Sequence, residues 1–275
     1  MIKCGNWPIA ICSWSLRQDI AGIAESMRKL GIDHIHLAVR PALQRGGNDY
    51  LTEVRRQNWT ISATMIDFPQ EDYSTLETIK LTGGIAPDDC WPQNQKLFEQ
   101  AVDVTAELGV QFLSMHAGFI NHGDNDYIAK FYERIGCLAD IASRKNVTLL
   151  METGQETAED LRRLLEKLSH TAIAVNFDPA NMILYDKGDP VEAVKVLGKW
   201  VRHIHIKDAI RTTKPGTWGT EVPWGGGEVM PERFLQVLKK IGFDGGLAIE
   251  REAGDDRLGD IRQAVEKLRL FSTGT

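Results

Sequence analysis

Paired cysteines are missing from this chain. Its four, Cys4, Cys12, Cys90 and Cys137, are scattered without any Cys-x-x-Cys spacing, so neither a zinc knuckle nor a disulfide framework is indicated, and a reducing compartment suits them. Long apolar runs are missing too. No stretch approaches the ~20 residues that span a bilayer, and Met1-Ile2-Lys3-Cys4-Gly5-Asn6 lacks the charged-then-apolar pattern of an export signal. The expected location is cytoplasmic. There is no run of lysine or arginine, and 38 acidic against 32 basic residues leave a net charge of −6. That is no electrostatic footprint for a polyanion, and the expected partners exclude nucleic acid and membrane. No repeat, linker or low-complexity segment divides the chain.

What is present is the ordinary composition of a protein with a large core: 43% hydrophobic and 25% charged over 275 residues. Eight short, β-branched apolar runs alternate with amphipathic segments. The runs are Pro8 to Trp14, His34 to Val39, Thr60 to Ile66, Gln111 to His116, Val147 to Glu152, Ile173 to Asp178, Val201 to Lys207 and Gly246 to Glu250. Helical periodicity falls on Ile20 to Leu30, Gln95 to Leu108, Tyr127 to Lys145, Ala158 to Leu168, Val191 to Trp200, Pro231 to Ile241 and Arg257 to Phe271. Gly31, Gly109 and Gly242 stand where a left-handed helix stop is wanted. Such alternation is the mark of parallel sheet built from βα units. Eight of them predict an α/β fold, a single (β/α)8 TIM barrel over residues 1–275, which is within the usual size of one barrel domain. An open doubly wound sheet would want a glycine-rich first turn, and Ser13-Trp14-Ser15-Leu16-Arg17 is not one.

Two connections are long, residues 67–91 and residues 208–230, and both follow strands. In a barrel that places them on the active-site face. The second carries Trp218, Trp224 and the triplet Gly225-Gly226-Gly227, which predicts a mobile flap with aromatic surface; the plain alternative is a surface loop.

Polar residues at the C-terminal ends of barrel strands converge on one pocket. Here Glu152, Asp178 and Glu250 end their strands and His205 lies within another, each beside apolar neighbours. Strand alternation puts Asp178 on the face of Asn176 and Ala174, and puts His203, His205 and Lys207 together. Any one such acid is as often a helix cap or an arginine's partner. Three carboxylates and an imidazole in one small space, however, repel and protonate one another unless a cation lies among them. The set therefore predicts one divalent metal ion held by Glu152, Asp178, His205 and Glu250. Oxygen-rich ligation with one nitrogen suits manganese first, with magnesium, cobalt or zinc as alternatives.

These residues carry a resemblance. Met151-Glu152-Thr153, Phe177-Asp178-Pro179-Ala180-Asn181-Met182, His203-Ile204-His205-Ile206-Lys207-Asp208, Gly225-Gly226-Gly227-Glu228-Val229 and Ala248-Ile249-Glu250-Arg251-Glu252 make the chain similar to the xylose isomerase-like TIM barrels, the sugar phosphate isomerase/epimerase superfamily. The resemblance implies the same four metal ligands, with Glu152 and Glu250 flanking the substrate carbon as acid and base. One departure stands out. Ketose 3-epimerases of that family look to have a histidine a few residues after the strand 6 aspartate, where this chain has Ala180-Asn181.

The expected activity is that of an isomerase or epimerase on a small keto-sugar or related polyol. A proton moves next to a carbonyl through a metal-stabilised enediolate, with Glu152 and Glu250 catalytic. A dehydratase or lyase acting on a keto-sugar or keto-inositol is the alternative, if a hydroxyl leaves instead. An endonuclease IV-like repair enzyme, which would need more histidine ligands and a cationic rim, and a non-catalytic carbohydrate binder are weaker rivals. His116 and Lys207 are expected to bind substrate, and Trp14 and Trp224 to stack on a sugar face. A hydrogen-bonded mouth histidine, an ion-paired lysine and core tryptophans are the plain alternatives. His34 and His36 are expected to be structural. Glycine-rich phosphate binding after strand 7 is unsupported, the Gly225 triplet being a weak signal. A homo-oligomer is allowed, but nothing fixes its order.

Overall fold

Each of the eight apolar runs forms a strand in the computed structural model, which describes residues 2–273. The strands are β1 (Trp7–Cys12), β2 (His34–Ala38), β3 (Thr60–Met65), β4 (Phe112–Met115), β5 (Thr148–Glu152), β6 (Ile173–Phe177), β7 (Val201–Ile206) and β8 (Gly246–Ile249). Every strand pairs in parallel with its sequence neighbours, and β8 pairs β1 to close the ring, Leu247 opposite Ile9 and Ile249 opposite Ile11. A two-residue strand, Lys3–Cys4, adds antiparallel to β1. The expected (β/α)8 barrel is what forms.

Around it run α1 (Ile20–Leu30), α2 (Gly47–Arg56), α3 (Leu76–Thr82), α4 (Trp91–Glu107), α5 (Asn125–Ser143), α6 (Ala158–Leu168), α7 (Pro179–Leu184), α8 (Pro190–Leu197), α9 (Pro231–Lys240) and α10 (Arg257–Thr273). Local chemistry sets their ends. Asp19 caps α1 by accepting from the Gly22 amide, and Gly31 ends it at φ 70°. Gly109 and Gly242 adopt the same left-handed conformation, φ 72° and 71°, so the glycine stops read in the sequence are real. Helix α4 starts earlier than its periodicity suggests because Pro92 is tolerated in a first turn, where its missing N–H is not needed. Periodicity missed α2, α3 and α7. The first buries only Gly47, Leu51 and Val54, and the second only Ile79, stripes too short to register.

The core lies between the barrel and the helices. Phe177 of β6 points outward and stacks on Phe234 of α9 with centroids 5.9 Å apart, which leaves Asn176 facing inward as alternation requires. Inside the barrel, the small buried side chains of Ala10, Cys12 and Ala248 make room for polar groups at the mouth. Among the described residues no helix is long and apolar enough to cross a membrane.

The two long connections are folded. Residues 67–91 contain α3, and the segment after β7 forms a hairpin, Asp208–Ile210 against Thr220–Val222. The Asp208 carboxylate accepts from the amides of Ala209, Gly225, Gly227 and Val229 at 2.9–3.1 Å. That anchorage corrects one expectation. It turns the segment so that Trp224, only 4% exposed, packs among Ile206, Ile249, Ile261 and Ala264 in the core, away from the mouth.

Candidate active site

Four strand ends bring the expected ligands together. Glu152 closes β5, His205 lies on the inward face of β7, and Glu250 follows β8. Asp178 follows β6 as the N-cap of α7, with Oδ1 accepting from the Asn181 amide at 2.9 Å. The capping role weighed for such an acid is therefore real, but it uses one oxygen. Oδ2 points the other way. His205 Nδ1 lies 3.2 Å from Glu152 Oε1, 3.5 Å from Asp178 Oδ2 and 3.4 Å from Glu250 Oε2. One donor atom from each of the four residues lies within 4.8 Å of the other three, and all four residues are buried.

The three acids are held unequally: Glu152 and Glu250 below their ordinary range, Asp178 above it. Burial holds the Asp178 carboxyl above its ordinary range. Burial pushes Glu250 the same way, but Lys207 and His205 beside it more than reverse the effect and hold it well below. Burial opposes charge on His205 as well, and the Glu250 and Glu152 carboxylates overcome that and raise it. Asp178 Oδ2 and His205 Nδ1 are both buried with no hydrogen-bond partner. Buried polar atoms are rarely left so. Two orphaned donor atoms aimed into a ring of carboxylates fit a divalent ion.

Behind the ring, His205 Nε2 lies 3.0 Å from His36 Nδ1 and 3.0 Å from Asn176 Nδ2. Burial drops His36 to about 3, so its ring is neutral, and with Nε2 against the Thr64 carbonyl at 3.2 Å its Nδ1 faces His205 as an acceptor. His36, expected to be structural, thus steadies His205. His203 donates or accepts one shell further in, with Nδ1 2.9 Å from Asn176 Oδ1.

Above the ring opens a cavity of about 620 Å³, within the range that encloses a small organic ligand. Three of the four residues expected to meet substrate line it, namely Trp14, His116 and Lys207; Trp224 does not. Each already has a partner. Trp14 Nε1 donates to Glu250 Oε1 at 2.6 Å, and Lys207 Nζ donates to Glu250 Oε2 at 2.8 Å and to Glu252 Oε2 at 2.7 Å. His116 Nε2 is 3.6 Å from Glu152 Oε1. Several wall residues were not picked out from sequence as substrate contacts. Asn181 Nδ2 donates to Glu152 Oε1 at 3.2 Å; its only signal was its place three residues after Asp178. Trp218 and Tyr185 meet edge to face at 4.7 Å on one wall, and Tyr73 comes from the connection after β3. Trp218, not Trp224, is the flap aromatic that reaches the mouth.

Comparisons with known proteins identify the family and the fold. The family model described as xylose isomerase-like TIM barrel matches residues 25–271. The L-ribulose-5-phosphate 3-epimerase UlaE of Escherichia coli is 25% identical over 260 residues, which cover 90% of this chain and 88% of the epimerase. A xylose isomerase domain protein from Planctomyces limnophilus superposes with a TM-score of 0.86 at 26% identity, with 97% of each chain covered. A xylose isomerase-like TIM barrel protein from Mycobacterium smegmatis, solved in complex with magnesium, gives 0.74 at 18% identity over 99% of each chain, a likeness of fold. With nearly the whole barrel inside the matched residues, the chain belongs to the xylose isomerase-like TIM barrel family.

Proposed function

We propose that the protein is a divalent-metal-dependent isomerase or epimerase of a small keto-sugar or related polyol, working as one barrel domain and moving a proton at a carbon next to a carbonyl. The observation that carries this is the pair of orphaned donor atoms, Asp178 Oδ2 and His205 Nδ1, between the carboxylates of Glu152 and Glu250. The class of chemistry is supported by the relatives, of which one matching 90% of this chain is named an L-ribulose-5-phosphate 3-epimerase.

Glu152, Asp178, His205 and Glu250 would hold a divalent ion, manganese by preference, which when bound would supply positive charge for a carbonyl oxygen turning negative. The chain's own groups do the rest. Glu250, kept ionised by Lys207 and held by the Trp14 indole, and Glu152, flanked by His116 and Asn181, approach from β8 and β5. One takes the proton and the other returns it, a contribution worth about 10²- to 10⁴-fold. His116 can hydrogen-bond a substrate hydroxyl, and the aromatic walls cover the ring's C–H faces and shed water. Asn181, at the place where the resemblance expects an epimerase histidine, favours a second reading in which a hydroxyl leaves and the product is dehydrated.

The test is solvent deuterium exchange into a panel of keto-sugars and keto-inositols by the manganese-loaded protein, followed by NMR. Wild type is expected to label one carbon. Glu152→Gln and Glu250→Gln are expected to lower the rate at least about 100-fold. Undiminished exchange in both variants would sink the acid/base assignment.

A further inference from the structure

The wall of the mouth cavity has no positive group to spare. Four carboxylates line it, from Asp67, Glu221, Glu250 and Glu252, against one lysine, Lys207, whose ammonium is already shared between Glu250 and Glu252. Among the described residues no arginine lines it. Two arginines nearby are matched as well. Arg40 pairs with Asp67, and Arg251 pairs with Glu221 at 2.6 Å and with Asp260 at 2.8 Å.

Backbone amides are the other means of holding a phosphate, through a turn whose N–H groups converge. Three such turns lie in the connections that follow the strands, one of them, at Glu252, on the cavity wall, and each is filled by the protein's own carboxylate. Asp208 occupies the amides of the glycine triplet, Gly225 and Gly227, together with Val229. Glu221 Oε1 accepts from the amides of Glu252 and Ala253 at 2.9 and 3.3 Å. Glu71 accepts from Phe68 and Gly84 at 3.1 and 3.0 Å. The start of α7 is likewise closed by Asp178. The rest of the wall is largely aromatic, Trp14, Tyr73, Tyr185 and Trp218, and its unpartnered polar atoms, Trp218 Nε1 and His116 Nδ1, belong to neutral hydrogen-bonding groups rather than fixed cations.

We infer that the cavity takes an uncharged polyhydroxy ketone and rejects its phosphate ester. A phosphate brings a charge of about −1.5 to −2 into a partly enclosed space lined by four carboxylates, where Lys207 is already engaged and the amide nest at Glu252 is taken, so repulsion from the wall acids opposes it. This sets the chain apart from the UlaE epimerases, which are named for a 5-phosphate and are 25% identical to it. The inference rests on the function proposed above for the choice of a ketone.

Binding is read from tryptophan fluorescence of the manganese-loaded protein, since Trp14 and Trp218 line the cavity. The ligands are matched pairs, L-ribulose with L-ribulose 5-phosphate and D-fructose with D-fructose 6-phosphate. The free ketose is expected to bind at least about 10-fold more tightly than its ester, and millimolar inorganic phosphate is expected not to displace it. Asp67→Asn, which releases Arg40 from its ion pair and lies outside the ligand ring, is expected to narrow that ratio by strengthening the ester. Equal or tighter ester binding, displacement by phosphate, or an unchanged ratio in Asp67→Asn overturns the inference. Deuterium exchange on the same compounds separates the two claims. Ester preferred with exchange intact removes charge exclusion alone; ketose preferred without exchange removes the proton-transfer reading alone; no binding by any pair counts against both.

Discussion

A carboxylate has two oxygens, and Asp178 uses them differently, Oδ1 on the first turn of α7 and Oδ2 unpaired toward His205. The backbone bond fixes the side chain's direction before any ligand arrives, which is how a site is preorganised. Glu156, on the loop between β5 and α6, is a different case: a buried acid outside the ligand ring. Burial lifts its carboxyl from 4.5 to about 8, against the pull of Lys187. Between those values the folded protein keeps a proton that the unfolded chain releases, so this stabilisation is complete below 4.5 and is lost as pH rises to 8. Glu156→Gln removes the titration. Urea midpoints compared at pH 5 and pH 8 are expected to show the variant gaining on wild type with rising pH, by a few kcal/mol at about 1.4 kcal/mol per unit. A constant difference would show that Glu156 does not titrate in that window.

At the scale of elements, the hairpin after β7 is pinned by one side chain. Four amides converge on Asp208, and a glycine is required at Gly227, where an added Cβ would sit 2.3 Å from Asp208 Oδ1. Asp208→Asn replaces an acceptor-only group with one that presents an N–H toward other N–H groups. With charged hydrogen bonds worth about 1.5–3 kcal/mol each, the loss is expected to reach about 2–4 kcal/mol. Amide exchange at Gly225, Gly227 and Val229 is expected to speed up before exchange in β7 does. Protection unchanged at these three amides would mean that the segment is held by something else. The same anchorage decides which flap tryptophan faces substrate: Trp224 goes under, and Trp218 stays on the wall.

For the whole molecule, closing the ring draws three acids toward one point, and a cation that bound only the folded state would offset the cost. At a concentration 100 times its Kd such an ion adds about 2.7 kcal/mol, which for a chain of this size is roughly 5–10 °C in Tm. Manganese, magnesium, cobalt and zinc are expected to raise the Tm of chelator-stripped protein to different extents. Asp178→Asn is expected to abolish the rise with little change in the metal-free Tm, because it keeps the cap and removes a carboxylate whose burial already disfavours its charge and whose Oδ2 makes no hydrogen bond. A full metal-induced shift in Asp178→Asn would remove Asp178 from the ligand set.

Architecture was legible in the order of residues because period-2 and period-3.6 patterns, glycine stops and the count of apolar runs are local properties, and eight parallel units have a natural way to close. So were Glu152, Asp178, His205 and Glu250, since a strand's alternation tells which side chains face inward and the barrel makes strand ends converge. Short helices such as α2 and α3 were not legible, because three buried residues in the one and a single one in the other make too short a stripe for a periodic signal. Tertiary structure alone decided that His36 backs His205, that Asn181 holds Glu152, that Trp218 rather than Trp224 lines the mouth, and that the amide nests in the connections after the strands are already filled. Those are contacts between segments far apart in the chain, and their geometry exists only once the ring has closed.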